Sequence, residues 1–142
     1  MSETKSTIII EAPLSQVAEA IASVGTYPSW SGSMKAVKVL EGDAMKPTKV
    51  EMSLVSGALR DEATLIFDWS NFPTSLTFTL ESADLLTAMD GKQELKSIGE
   101  ETEISYALTV ALSMPVPDMM RQKAEKAVVD QTLKELKAHI EE

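Results

Sequence analysis

Between Met34 and Leu112 apolar and polar residues alternate, segment after segment, and this period of two limits the fold more than any other feature of the chain. It is the repeat of a pleated strand with one buried face, because successive side chains point to opposite sides. The alternation predicts strands at Met34–Glu41, Lys49–Ser56, Leu59–Trp69, Ser75–Ser82, Leu86–Ser97 and Thr102–Leu112. Gly42-Asp43, Ser56-Gly57, Asn71-Phe72-Pro73 and Gly99-Glu100-Glu101 separate them with residues suited to turns. Asp90-Gly91 falls inside one segment. A hairpin turn there would cut the strand short, so a glycine bulge within a long strand is the preferred reading.

Different periods flank this block. Ser6–Glu11 is rich in β-branched residues and reads as a strand. Pro13 suits the first turn of a helix, and Leu14, Val17, Ala18 and Ile21 form one helical face that Gly25 should end. Tyr27-Pro28-Ser29-Trp30-Ser31-Gly32 is a turn-rich connection with room for a short second helix. A long helix is expected from Asp118 to Ile140, entered through Pro115-Val116-Pro117. One strand, one or two helices, six strands and a final helix imply an α+β fold, an antiparallel sheet with helices on one face. A chain of 142 residues is expected to form one domain, 1–142.

Composition removes several classes of function. There are 13 Lys+Arg against 22 Asp+Glu, a formal charge of -9, which argues against nucleic acid because phosphate binding needs a basic face. With no cysteine and only His139, thiol chemistry, a cysteine zinc site and any two-histidine chemistry are out, so no metal site and no cofactor is expected. The N-terminal apolar run, Ile8-Ile9-Ile10, is far shorter than the roughly 7–15 residues of a secretory signal or the roughly 20 of a membrane span. Cytoplasmic residence is the expectation; the oligomeric state, monomer or weak dimer, stays open.

Alternation also assigns faces. Val50, Met52 and Leu54 share one, with Leu59, Ala63, Leu65, Phe67 and Trp69. Leu76, Phe78 and Leu80 continue it, then Met89 and Leu95, then Ile104, Tyr106, Leu108, Val110 and Leu112. The opposite positions, among them Arg60, Glu62, Thr79, Lys92 and Ala107, are polar or small, so one face is dry and the other wet. Met52 and Met89 lie on the dry face, while Met34, Met114, Met119 and Met120 flank it or begin the final helix. Methionine fills gaps in cores and also lines surfaces that adapt to varied apolar shapes, and both readings stand here. On the final helix Met120, Ala124, Ala127, Val128 and Gln131 share one side, with Val129, Leu133, Leu136 and Ile140 nearly opposite. Small residues at 124 and 127 would leave volume beneath the helix, unless alanine serves there simply as a helix former.

Ile8-Ile9-Ile10-Glu11-Ala12-Pro13, Val17 and Tyr27-Pro28-Ser29-Trp30 together resemble the opening of the START-like polyketide cyclase/dehydrase and lipid-transport family, in the SRPBCC superfamily. The resemblance resumes at Asp90-Gly91, Thr102-Glu103-Ile104-Ser105-Tyr106, Pro115-Val116-Pro117, Leu133 and Leu136, and so spans nearly the whole chain. One departure is Ser23-Val24-Gly25, where many relatives carry Asp before the Tyr-Pro segment. The resemblance implies a helix-grip fold: a curved seven-stranded antiparallel sheet wrapped around a long C-terminal helix, with an internal cavity. Its motifs mark the fold and do not specify a reaction.

The expected function is therefore binding or transport of a small hydrophobic molecule (a lipid, isoprenoid or quinone, or polyketide-like compound) between sheet and final helix. From the sheet the expected ligand contacts are Met52, Leu54, Leu65, Phe67, Trp69 and Phe78, then Met89, Gln93 and Tyr106. Trp30 at the entrance and Met120, Ala124, Ala127 and Val128 from the helix complete the set, although Trp30 equally suits a structural plug. The alternative is a polyketide cyclase/dehydratase in which Tyr106, Gln93 and Asp61 orient and polarise the substrate. Asp61 and Thr102 fall on the inner face, Arg60 should face solvent, and His139 reads as a solvated last-turn residue. No nucleophile–base pair is visible, which favours binding over catalysis.

Overall fold

The computed structural model of the protein describes residues 4–43, 45–56 and 59–141, with the backbone alone at Ser56 and Leu59. Gly57 of the expected Ser56-Gly57 turn and the side chain of Leu59 lie outside the described residues. Along the chain run β1 (Thr4–Ile10), α1 (Leu14–Ala22), a 3-10 turn (Val24–Thr26) and α2 (Tyr27–Trp30). Then come β2 (Met34–Glu41), β3 (Lys49–Ser56), β4 (Leu59–Asp68), β5 (Ser75–Ala83), β6 (Leu86–Ile98), β7 (Glu101–Leu112) and α3 (Asp118–Glu141). The strands form one seven-stranded sheet in the order β1-β7-β6-β5-β4-β3-β2, with every neighbouring pair antiparallel.

The six strands read from alternation begin and end within a residue of the observed bounds, because a half-buried antiparallel strand carries its period in the sequence. β1 starts earlier than expected, since Thr4 and Lys5 pair with Leu108 and Ala107. α1 ends at Ala22, before Gly25: the Ser23 hydroxyl donates to the Glu19 carbonyl at 2.8 Å, closing the last turn. Gly42 and Gly99, at φ +92° and +63°, occupy turns that need the left-handed region.

Gly91 does not form a bulge. Asp90, Gly91 and Lys92 pair in unbroken register with Thr109, Leu108 and Ala107, and the irregularity of this strand pair lies at Leu86/Ala88. Gly91 stands opposite Phe78, and a Cβ on it would lie 2.1 Å from Phe78 Cζ. The glycine is there to receive a ring.

The dry face is buried as expected, with Val50, Met52, Leu76, Ile104 and Leu108 almost fully excluded from solvent. Ala107 departs from the wet-face assignment: it is buried, flanked in register by Lys5 and Lys92. α3 packs on β1 and β7 through Val129, Leu133, Leu136 and Ile140. The inward face of its first half is made by Arg121 and Glu125, while Met120 and Ala127 are exposed. Of the four helix residues expected to contact the ligand, Met120 and Ala127 thus face outward, and only Ala124 and Val128 turn in. Polar bonds fasten α3 to β1: Ser6 Oγ donates to Asp130 at 2.6 Å, and Lys137 Nζ donates to the Ile9 carbonyl at 2.9 Å.

Candidate functional site

Between the dry sheet face and α3 lie two adjacent lobes of about 110 and 60 Å³, with Ser33, Leu54, Met89 and Val128 lining both. An apolar cavity of about 150 Å³ stays dry and holds a benzene. The larger lobe approaches that size, and the smaller is less than half of it.

The larger lobe is aliphatic. Leu86, Leu108, Val110, Leu112 and Ala124 form its walls, and Arg60, Asp61 and Glu125 bring the charged groups. Arg60 is exposed, as expected for the wet face, yet its side chain also reaches this lining. Asp61 is half-buried, and its two oxygens accept from the backbone N–H groups of Asp84, Leu85 and Leu86 at 2.9–3.2 Å. Its carboxylate therefore holds the turn between β5 and β6. Glu125, 1% exposed, accepts from Arg121 Nη1, from the Val110 N–H and from Thr4 Oγ1, each at 2.7 Å. Alternation and helical periodicity both miss Glu125 and Arg121, because they treat every charged residue as outward-facing. The i,i+4 spacing of opposite charges was the one legible sign of the pair.

The smaller lobe is aromatic. Tyr27, Trp30, Phe67, Phe78 and Tyr106 line it, with Met34, Met52, Leu65 and Gln93. Phe78 stacks on Phe67 at 5.5 Å and meets Tyr106 edge-on at 6.4 Å. Gln93 and Tyr106 are direct cross-strand partners, so their side chains leave the sheet side by side. Trp30 packs edge-on against Tyr27 at 5.3 Å and stacks on His139 at 5.5 Å, which gives the exposed His139 an aromatic partner. Two polar atoms on these walls, Trp30 Nε1 and Gln93 Oε1, are buried without a hydrogen-bond partner among the described residues.

Of the expected ligand contacts, Trp30, Met52, Leu54, Leu65, Phe67, Phe78, Met89, Gln93, Tyr106, Ala124 and Val128 line the cavity. Trp69 does not: it stacks on Phe67 at 5.7 Å and donates Nε1–H to the Pro47 carbonyl at 2.7 Å, which places it behind the aromatic lobe. Met120 and Ala127 are turned to solvent. Met114, Met119 and Met120 are exposed, so the methionines divide into a lining group (Met34, Met52, Met89) and an outer one. Thr102 also stays out of the cavity, its hydroxyl donating to the Ala12 carbonyl at 2.9 Å to fasten the β1–α1 junction to β7. The alternative catalytic trio is divided, with Asp61 in the aliphatic lobe and Gln93 and Tyr106 in the aromatic one.

Burial pushes the phenol of Tyr106 well above its ordinary value near 10, and burial followed by the proximity of Tyr106 does the same to Tyr27, whose hydroxyl donates to the Ile21 carbonyl. A pKa raised on folding contributes stability that is complete below the unfolded value, about 10, and is lost as pH rises toward the folded one. Because these are the only two tyrosines, an alkaline titration should show no tyrosinate absorbance until the chain unfolds. Tyrosinate appearing near pH 10 with the far-ultraviolet circular dichroism intact would contradict the burial.

A curved antiparallel sheet closed on a long C-terminal helix, with an apolar cavity between them, defines the helix-grip class. Within it the chain belongs to the family described as polyketide cyclase / dehydrase and lipid transport, whose model matches residues 1–141. Among solved structures, a START superfamily protein from Mycobacterium smegmatis superposes with a TM-score of 0.91 at 16% identity, covering 98% of this chain and 97% of that one. A protein from Thermus thermophilus gives 0.85 at 16% identity, covering 98% and 97%. The Zhui aromatase/cyclase from Streptomyces sp. R1128 gives 0.80 at 18% identity, covering 99% and 93%. At these identities the likeness is one of fold. No curated protein sequence matches the chain. Among the described residues no helix is long and apolar enough to cross a membrane, and no cluster of three acidic or histidine side chains is placed to hold a metal ion.

Proposed function

We propose that this protein binds a small hydrophobic molecule in the two-lobed cavity. The observation that carries the reading is the cavity itself: its walls are almost wholly apolar, yet side chains on sheet and helix leave it unfilled. Filling such space stabilises a fold, at about 1.5–3 kcal/mol for each apolar side chain fully buried. The family and fold agree with a ligand of this kind or with chemistry like that of a polyketide cyclase. The cyclase reading draws on Gln93 and Tyr106, which share one lobe; against it, Asp61 is committed to three backbone N–H groups and the Tyr106 proton is held tightly at neutral pH.

The test is a fluorescence titration of Trp69→Phe, which leaves Trp30 on the aromatic wall as the reporter, with fatty acids, quinones and two-ring aromatics. Saturable binding is expected, together with a copurified hydrophobic molecule in native mass spectra. Ala124→Leu, which fills the aliphatic lobe, should weaken binding by about tenfold while the melting temperature holds or rises. Unchanged binding in that variant would remove the cavity as the site.

A further inference from the structure

Resting on the binding reading, we infer that the aromatic lobe selects a one- or two-ring ligand carrying a hydroxyl or an equivalent donor–acceptor group, in preference to a hydrocarbon or an acyl chain. Two unmatched atoms of opposite sense make the case. Trp30 Nε1 is a donor that cannot accept, Gln93 Oε1 is an acceptor, and both are buried without a partner among the described residues. Buried polar groups in native folds are nearly always satisfied, so each orphan calls for a partner that the chain itself does not provide. Both atoms belong to residues lining the same lobe, whose other walls are four aromatic residues, apolar side chains, Ser33 and Thr132.

The surroundings hold the two groups in place. Trp30 is clamped between Tyr27, edge-on at 5.3 Å, and His139, stacked at 5.5 Å, so its N–H direction is set by packing. Behind it, the Gly32 N–H donates to Glu135 Oε2 on α3 at 2.9 Å, which pins the chain following α2. Gln93 leaves β6 beside Tyr106 and opposite Leu76 of β5. The lobe's volume of about 60 Å³ admits only the substituted edge of a ring, and the adjoining aliphatic lobe would take the remainder of the ligand. An acyl chain would cover both orphan atoms with methylene and leave them unsatisfied, an unfavourable outcome in an apolar site. A ring hydroxyl carries both functions the orphans call for, an acceptor for the Trp30 N–H and a donor for the Gln93 oxygen.

Calorimetric titration of the full chain with 2-naphthol, 2,6-dihydroxynaphthalene and the isosteric hydrocarbon 2-methylnaphthalene tests this. The hydroxylated rings should bind about tenfold or more tightly than 2-methylnaphthalene. In Gln93→Met and in Trp30→Phe that advantage, read as the ratio of affinities within each variant, should shrink. Equal affinity for all three compounds would overturn the inference and leave the binding reading standing, as would an advantage that survives both substitutions. If none of the three binds, the inference and the cavity reading both fail. Should a variant not fold, the comparison on the parent chain decides alone.

Discussion

Glu125→Ala is expected to destabilise the fold by about 3–5 kcal/mol, as measured by urea unfolding, because it leaves the Arg121 guanidinium buried without its partner. The Arg121 side chain is 8% exposed and that of Glu125 is wholly buried, with 2.7 Å between Nη1 and Oε2. Asp118, at 3.9 Å from Arg121 Nε and itself exposed, cannot take over the role. The substitution also strips acceptors from the Val110 N–H on β7 and from Thr4 on β1, so the first half of α3 loses its polar anchorage to two strands at once. The pair itself should be replaceable. Arg121→Met with Glu125→Leu removes both charges and fills the space, and should recover the part of the loss that comes from the unpaired guanidinium, though not the part from the Val110 N–H and Thr4. A loss below about 1 kcal/mol in Glu125→Ala, the size of a typical surface change, would mean that the carboxylate is not carrying this load.

Gly91→Ala is expected to cost about 1–3 kcal/mol or more, by overpacking. Three atoms of the Phe78 ring would lie 2.1, 2.3 and 2.8 Å from the new Cβ, so the ring must leave its seat over the strand. Phe78 is 6% exposed and held by Phe67 on one side and Tyr106 on another, which leaves it little freedom to move. Because the same ring lines the aromatic lobe, ligand binding should fall together with stability. Combining Gly91→Ala with Phe78→Leu in a double-mutant cycle should show a favourable coupling of about 1 kcal/mol or more, as contact between the two positions requires. Strict additivity would show that the ring and the methyl never meet.

These two residues also mark how far the chain could be read unaided. The sheet was legible: Val50-Met52-Leu54 and Leu76-Phe78-Leu80 alternate with polar neighbours because one face is buried, and the strand bounds follow to within a residue. Gly91 was legible as an exception and misread as a bulge, since what it accommodates is a ring on the neighbouring strand, distant in sequence. α3 was legible as a helix and misread in orientation. Periodicity ranks faces by apolarity, and here an ion pair takes inward positions while Met119 and Met120 are 81% and 62% exposed. The lining of the aromatic lobe was largely legible from the dry face. Trp69 was the exception, because a hydrogen bond to the β2–β3 loop draws it behind the cavity.

The alternation between Met34 and Leu112, bracketed by one short helix and one long one, by itself determined the sheet, its dry face and the need for a helix to cover it, because burying one face of a strand writes its period into neighbouring residues. Tertiary structure alone decided which side of α3 turns inward, that Asp61 braces a turn, and that Trp30 Nε1 and Gln93 Oε1, on residues lining one lobe, are buried unmatched among the described residues. Those outcomes depend on contacts between residues far apart in the chain, whose energies leave no period in the sequence.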